Sequence, residues 1–263
     1  MGDAKQLIVK PISAQDANRI IKLLHYSGKV VNNSQVHLGV FMDGKCGGAM
    51  QFGPSLDKRK IQGLVTGTLW NEFIELNRMA FADWLPRNGE SRCIGYAMRW
   101  LRKTYPWLKW VVSFADGTQC GDGTIYRASG FVLTGIKQNT CIYELPDGGL
   151  LSKTTYSKGI HILHTSNGGA GGARQLAAMN AEKAKGFQLR YIYFLDPTAR
   201  DRLTVPILPF SEIDKRGAGM YKGRQRLQSA SSDTIDTPGD QPGKGGEAPT
   251  DALHNACGKI THA

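Results

Sequence analysis

The chain has 263 residues, of which 41% are hydrophobic, enough for one sizeable domain with appendages. Its five cysteines, Cys46, Cys93, Cys120, Cys141 and Cys257, form no CxxC pair and are odd in number, which argues against a disulfide framework or a cysteine zinc site. No signal-peptide pattern opens the chain and no apolar run approaches the roughly 18 residues of a membrane helix, so a soluble chain in a reducing cytoplasm is expected, with no membrane partner.

The formal net charge is +11, and it is unevenly placed. Two of the 33 basic and five of the 22 acidic side chains lie beyond Arg226, which leaves residues 1–226 at a net charge of +14. A strongly basic globular part with a mildly acidic tail points to a polyanion, nucleic acid before others.

Residues 7–12 read as a first strand. Ser13 then stands as a helix N-cap with Asp16 as its capping-box acid, and Ile20, Ile21, Leu23 and Leu24 give the helix an apolar face. Residues 36–42 and 46–52 flank Asp43-Gly44, a strong hairpin signal. Residues 54–70 read as a basic loop. Residues 73–81 form a strand, 87–91 a loop, and a helix follows with Ser91 or a residue just before it as cap and Ile94, Ala97, Met98 and Leu101 as its buried stripe. Residues 110–114 are a continuous apolar run, as in a central strand, closed by Asp116-Gly117. A brief helix at 124–129 precedes Gly130, then strands at 131–134, 140–145 and 187–195. Residues 147–186 carry no clear pattern. The order predicts an α/β fold with a mixed, mainly antiparallel sheet flanked by helices, and one crossover unit at 73–104. A catalytic domain is expected over 1–213, with a basic, then low-complexity, disordered tail at 214–263.

Two segments suggest chemistry. Residues 85–94 run from a loop bearing Arg87 and Gly89 into a helix start, where unpaired N–H groups suit an anion; Arg87, Gly89 and Ser91 are the candidate cofactor-binding residues. Residues 121–135 place Tyr126 on a short helix before Gly130-Phe131 and a strand. This resembles the end of the GNAT acyltransferase fold, in which such a tyrosine protonates the thiolate leaving coenzyme A. The alternative for Tyr126 is core packing.

Four separated stations carry a more specific resemblance: His25-Tyr26-Ser27, Glu75-Leu76-Asn77-Arg78-Met79, Ser113-Phe114-Ala115-Asp116 and Ile125-Tyr126. In this order, over roughly residues 7–210, the chain resembles the Mom family of phage adenine methylcarbamoylation proteins. The resemblance implies a GNAT-like fold and transfer of a carbamoylmethyl, glycinamide-like group to the exocyclic amine of adenine in double-stranded DNA, which blocks host restriction enzymes. It implies His25, Tyr26, Glu75, Arg78, Asp116 and Tyr126 as catalytic residues. It leaves the donor open between acetyl-CoA and an aminoacyl donor, and it brings in iron, for which His25 and Asp116 are suitable ligand types.

Each residue also has a plain reading: a histidine at a helix end, a packed tyrosine, an Arg78 ion pair with Glu75 or Asp116, a turn aspartate. Glu75 and Arg78 lie at odd separation, so a regular strand puts them on opposite faces and only a bulge brings them together. Lys58, Arg59 and Lys60, with Lys215, Arg216, Lys222, Arg224 and Arg226 in the tail, are expected to meet DNA phosphates. Trp84 is the candidate aromatic for a base taken out of the duplex. The competing function is a GNAT-type acetyltransferase for a protein or small-molecule amine. Against tight coenzyme A binding, Arg92 stands where the GNAT loop has its second small residue. The sequence does not give the oligomeric state.

Overall fold

The computed structural model describes residues 3–152, 176–221 and 224–225. Strand β1 (Ile8–Pro11) leads to helix α1 (Ala14–Leu24), whose cap is as expected: Ser13 Oγ accepts the Asp16 N–H and donates to its carboxylate. Ala17, Ile20 and Ile21 are the buried face, while Leu23 points outward at 55% exposure. Strands β2 (Val36–Met42) and β3 (Lys45–Gly53) form the hairpin, with Asp43 and Gly44 both at positive φ in the turn that Asp-Gly favours.

Helix α2 (Lys58–Gln62), capped by Asp57, occupies part of the expected loop, so Lys58, Arg59 and Lys60 are helical. Strand β4 (Phe73–Phe81), helix α3 (Gly89–Thr104) and strand β5 (Trp110–Asp116) are the crossover unit. Helix α4 (Thr124–Ala128) follows. Gly123 turns the chain into it at φ +83°; a Cβ there would stand 2.5 Å from the Tyr191 ring, so only glycine fits. Then come strands β6 (Val132–Gln138), β7 (Ile142–Glu144), β8 (Leu150–Ser152), β9 (Glu182–Lys183) and β10 (Phe187–Phe194), a 3-10 helix at Pro197–Arg202, helix α5 (Ser211–Lys215), and strands β11 (Met220–Tyr221) and β12 (Arg224–Gln225).

The main sheet has the order β1-β2-β3-β4-β5-β10-β6. Only β4 and β5 run parallel, because α3 carries the chain back to the same end between them. β7, β8 and β9 form a small separate sheet. On one face, α3 packs over Leu38, Met50, Ile74, Leu76, Val111 and Leu189. On the other, α1 covers Phe41, Ala49 and Ala80, while α2 and the 3-10 helix cover Phe73, Trp110, Val112 and Ile192. Each such fully buried large side chain stabilises by about 1.5–3 kcal/mol relative to exposure.

Two expectations change. Ser91 is not the cap of α3: Asn88 is, in the left-handed region at φ 66°, and no side chain caps the helix. Ser91 Oγ instead donates back to the Asn88 carbonyl. Residues 214–221, assigned to the tail, hold structure, and Ala218 and Met220 are buried. The rest of the expected tail, 222–223 and 226–263, lies outside the described residues, as does the whole of 153–175.

Candidate active site

The site begins with an irregularity in β4. Its pairing with β3 shifts between Arg78↔Gln51 and Leu76↔Phe52, so Asn77 is an extra residue. The core confirms the consequence: Ile74, Leu76, Met79 and Phe81 all face α3, while Phe73 and Ala80 face α1 and α2. Glu75 and Arg78 therefore share the α1–α2 face. The bulge is anchored, since Asn77 accepts from Ser34 Oγ and donates to the Pro54 carbonyl.

Beside the bulge the sheet opens. β4 and β5 pair only from Phe73↔Trp110 to Glu75↔Val112. Beyond that, Ser113 Oγ reaches the Leu76 carbonyl at 3.4 Å and no ladder continues. Asp116 lies at the end of β5 on the same face as Val112 and Phe114. Its Oδ1 accepts the N–H groups of Thr118 and Gln119, and Oδ2 accepts the Gln119 amide. The turn reading of Asp116 is thus correct, and the turn fixes the carboxylate at the mouth of the opening.

His25 and Tyr26 enter from the end of α1, with ring centroids 4.2 Å apart. Arg78 holds their loop: its Nε–H donates to the Lys29 carbonyl at 3.2 Å and Nη1–H to the Asn77 carbonyl at 2.8 Å. No carboxylate lies within ion-pair distance of Arg78 among the described residues. Burial, then the Arg78 charge, lowers the His25 pKa from 6.5 to about 4. Its Nδ1 accepts the Ser27 N–H at 3.1 Å, so the neutral ring carries its proton on Nε2. At neutral pH His25 is therefore uncharged, with Nε2–H as its donor.

From the α3 face comes Tyr126, buried against Phe131 and Tyr191. Burial pushes its phenol up to about 12, partly offset by the Ser113 hydroxyl beside it. Glu75 is raised above the usual carboxylate range by burial, offset by Ser55, Asn77 and Arg78. Burial and the Asp116 charge raise Tyr26 strongly. These groups feel one another: Asp116, Arg78 and Tyr126 act on Tyr26, and Glu75 acts on Tyr126. All six expected catalytic residues thus meet at the opening between β4 and β5.

The sequence reading missed Ser55 and Cys120, and gave no role to Asn77 and Ser113, which lie within its stations. Cys120 is exposed and close enough to act electrostatically on both Tyr26 and Tyr126. Its only sequence signal is its place between Asp116 and Tyr126.

Arg87, Gly89 and Ser91 line a cavity of about 330 Å³ with Glu90, Thr124 and Ile125, the last of these next to Tyr126 in the chain. The uncapped start of α3 and Arg87 suit an anionic group there, whereas the Glu90 carboxylate opposes one. Gly89 does not open space for a ligand. A Cβ on it would lie 3.0 Å from Leu7 Cδ1, so it serves packing.

The expected DNA-binding residues lie elsewhere. Lys58 folds its ammonium over Trp70 at 4.3 Å and borders a second cavity with Phe73, Tyr105 and Trp107. Arg59 and Lys60 are exposed. Lys215 and Arg216 pair with Glu212, and Lys222 and Arg226 fall outside the described residues. Trp84 packs on Gly47 and does not border the cavity. The half-exposed aromatic at the site is Tyr26.

Iron does not fit. Among the described residues no three His, Cys, Asp or Glu side chains stand together as a metal site. His25 has Nδ1 engaged by the Ser27 N–H and Nε2 protonated, so it offers a metal no ready lone pair. No helix among the described residues is long and apolar enough to cross a membrane.

The Mom protein family matches residues 6–212. The chain belongs to the Mom protein family. It is 40% identical over 216 residues to the methylcarbamoylase Mom of Escherichia phage Mu, which covers 81% of this chain and 85% of that protein. Residues 25–126, with all six clustered side chains, lie inside the family match. Among solved structures it is similar to an N-acetyltransferase from Staphylococcus aureus Mu50 (10% identity, 72% of this chain and 99% of that one, TM-score 0.42). It is also similar to the ribosomal-protein-S18-alanine N-acetyltransferase of Escherichia coli (11% identity, 72% and 94%, TM-score 0.39).

Proposed function

We propose that this chain is a transferase that modifies DNA in the host cytoplasm, joining a carbamoylmethyl group to the exocyclic amine of adenine and so shielding the DNA from restriction. Membership of the Mom family, with the clustered side chains inside the matched span, carries this reading. The reaction needs an acceptor side and a donor side. The two faces of the opening between β4 and β5 support both: Glu75, Arg78 and Asp116 lie on the α1–α2 face and serve the acceptor, while Tyr126 lies on the α3 face, where its chain neighbour Ile125 borders the cavity, and serves the donor.

The target base leaves the duplex to reach such a site, and the half-exposed Tyr26 ring is the stacking surface for it. The adenine amine is a weak nucleophile because its lone pair delocalises into the ring, so an N–H bond must weaken as the new N–C bond forms. Glu75, a stronger base than an ordinary carboxylate, takes that proton. Asp116 orients the amine by accepting its second N–H. His25 donates Nε2–H to the base, and Arg78 offsets the negative charge. The bond from the donor carbon to its leaving group breaks, and Tyr126, protonated throughout the neutral range, supplies the leaving group with a proton.

Arg87 and the first-turn N–H groups of α3 would hold the phosphates of an acyl-CoA-type donor, which supplies an activated carbon when bound. Attack at an acyl carbon leaves an amide. A carbamoylmethyl adduct requires a bond from nitrogen to methylene carbon, directly or through rearrangement of an aminoacyl adduct. Mass spectrometry of nucleosides from plasmid DNA in cells expressing the chain tests this. A carbamoylmethyl-deoxyadenosine, absent with Asp116→Ala, is expected; acetylated adenine or unmodified DNA beside folded protein would overturn the reading.

A further inference from the structure

One cation near the opening has no place in the chemistry above. Arg190 on β10 pairs with Phe114 on β5 and Gly135 on β6, so it shares the α1–α2 face with Asp116, which pairs with the neighbouring Gln188. α2 and the 3-10 helix cover the lower half of these strands, over Trp110, Val112 and Ile192. The upper part, with Phe114 and Arg190 half buried and Gln188 and Lys137 exposed, is an open platform beside the site.

Arg190 is built into that platform. Its Nε–H donates to Thr134 Oγ1 at 3.0 Å and Nη2–H to the Thr134 carbonyl at 2.8 Å. These bonds aim the guanidinium without neutralising it, and no carboxylate lies within ion-pair distance among the described residues. Gly135 lies under the fork: a Cβ there would meet Nη2 at 3.3 Å and Cζ at 3.4 Å. Partial burial disfavours the charge, as the lowered pKa of Arg190 shows. A partly desolvated, oriented cation without a counter-ion is a seat for an anion. Its planar fork, with donors left over, matches the oxygens of a phosphate. Lys137 lies on the same face, paired with Gln188, and adds a second positive charge.

We propose that Arg190, with Lys137 beside it, grips a backbone phosphate of the DNA strand being modified and so positions the target base over Glu75 and Asp116. This rests on DNA being the substrate. Such a contact sets register and carries no sequence information. Arg190 is a positioning residue, remote from the reacting atoms.

The test is anisotropy of a fluorescent DNA duplex titrated with the full chain at several salt concentrations, with thermal melting as the fold control. Arg190→Gln should weaken binding about ten-fold at low salt and flatten the plot of log affinity against log salt by about one phosphate contact. Arg190→Lys should keep the salt slope. In modification assays Arg190→Gln should raise KM for DNA far more than it lowers kcat. An Arg190→Gln chain that melts like the wild type and binds with wild-type affinity and slope overturns the assignment. Where Arg190→Gln does not fold, Gly135→Ala, which displaces the fork, and Lys137→Gln carry the test, and wild-type binding by both overturns it. A wild-type chain that binds no duplex overturns the DNA substrate itself, and the proposal with it.

Discussion

Arg78 donates its Nε–H to the carbonyl of Lys29, 3.2 Å away, and thereby ties the loop of His25 and Tyr26 to the strand of Glu75. The residues are 49 positions apart in sequence. The guanidinium thus sets the shape of the site as well as its charge. Arg78→Lys keeps the charge but cannot reproduce the Nε and Nη1 bonds together. It should lose about 1 kcal/mol of stability for a lost hydrogen bond and at least about ten-fold in modification rate. Limited proteolysis near residues 25–30 should quicken. Unchanged activity and protection would show that the tether is incidental.

Tyr126→Phe separates packing from chemistry. The ring contacts with Phe131 and Tyr191 survive the change, so the melting temperature should move little. Losing a proton donor typically lowers a rate by about 100-fold or more. Nucleoside mass spectrometry on cells expressing the variant should show almost no modified adenine. Full modification would remove Tyr126 from the chemistry and leave it as core.

Glu75 and stability should pull in opposite directions. Its pKa is raised in the fold because burial disfavours the charged form. The unfolded chain therefore ionises Glu75 first, and stability from this group falls as pH rises through the folded pKa. Glu75→Gln removes that cost, so at neutral pH it should melt at the same temperature as the wild type or higher, yet be inactive. The wild-type rate should fall on the acid side at a pH above the ordinary carboxylate range. A destabilised Glu75→Gln would mean that the charge is compensated in the fold.

His25 has the opposite sense in its own window. The folded ring resists protonation until about pH 4, whereas an unfolded one takes a proton near 6.5. Between these values the unfolded chain binds more protons, so stability is full above pH 6.5 and is lost as pH falls toward 4. His25→Gln should melt with a shallower dependence on pH across that window. Equal slopes for the two proteins would show that the ring is well solvated.

Much of the fold was legible because it is locally encoded. Ser13 with Asp16 marks α1, Asp43-Gly44 marks the hairpin, and the apolar run from Trp110 marks a central strand. Short elements were not: α2 has five residues and its cap, Asp57, lies in a basic stretch that reads as loop. The cap of α3 was left open between Ser91 and a residue before it because Asn88 acts through its backbone conformation and offers no side-chain bond. The catalytic candidates were legible through resemblance, but not their states. The tautomer of His25 depends on the Ser27 N–H, and the setting of Arg190 depends on strands β5, β6 and β10 meeting. Long-range pairing of that kind leaves no local pattern.

The bulge at Asn77 makes the last prediction. Deleting one residue there restores a regular strand, and every side chain beyond it changes face. Arg78 would turn toward α3, while Met79 and Phe81 would leave the core and Ala80 would leave its contact with α1. The deletion should therefore give no stable fold. Asn77→Ala keeps the extra residue and loses only the bonds to Ser34 and Pro54, so it should fold with a lower melting temperature, by about 1–3 kcal/mol of stability. Its activity should drop as the spacing of Glu75 and Arg78 loosens. Circular dichroism and melting of the two variants decide the matter. A deletion that folds and modifies DNA like the wild type would show that β4 can slip, and that the shared face of Glu75 and Arg78 is not what the reaction needs.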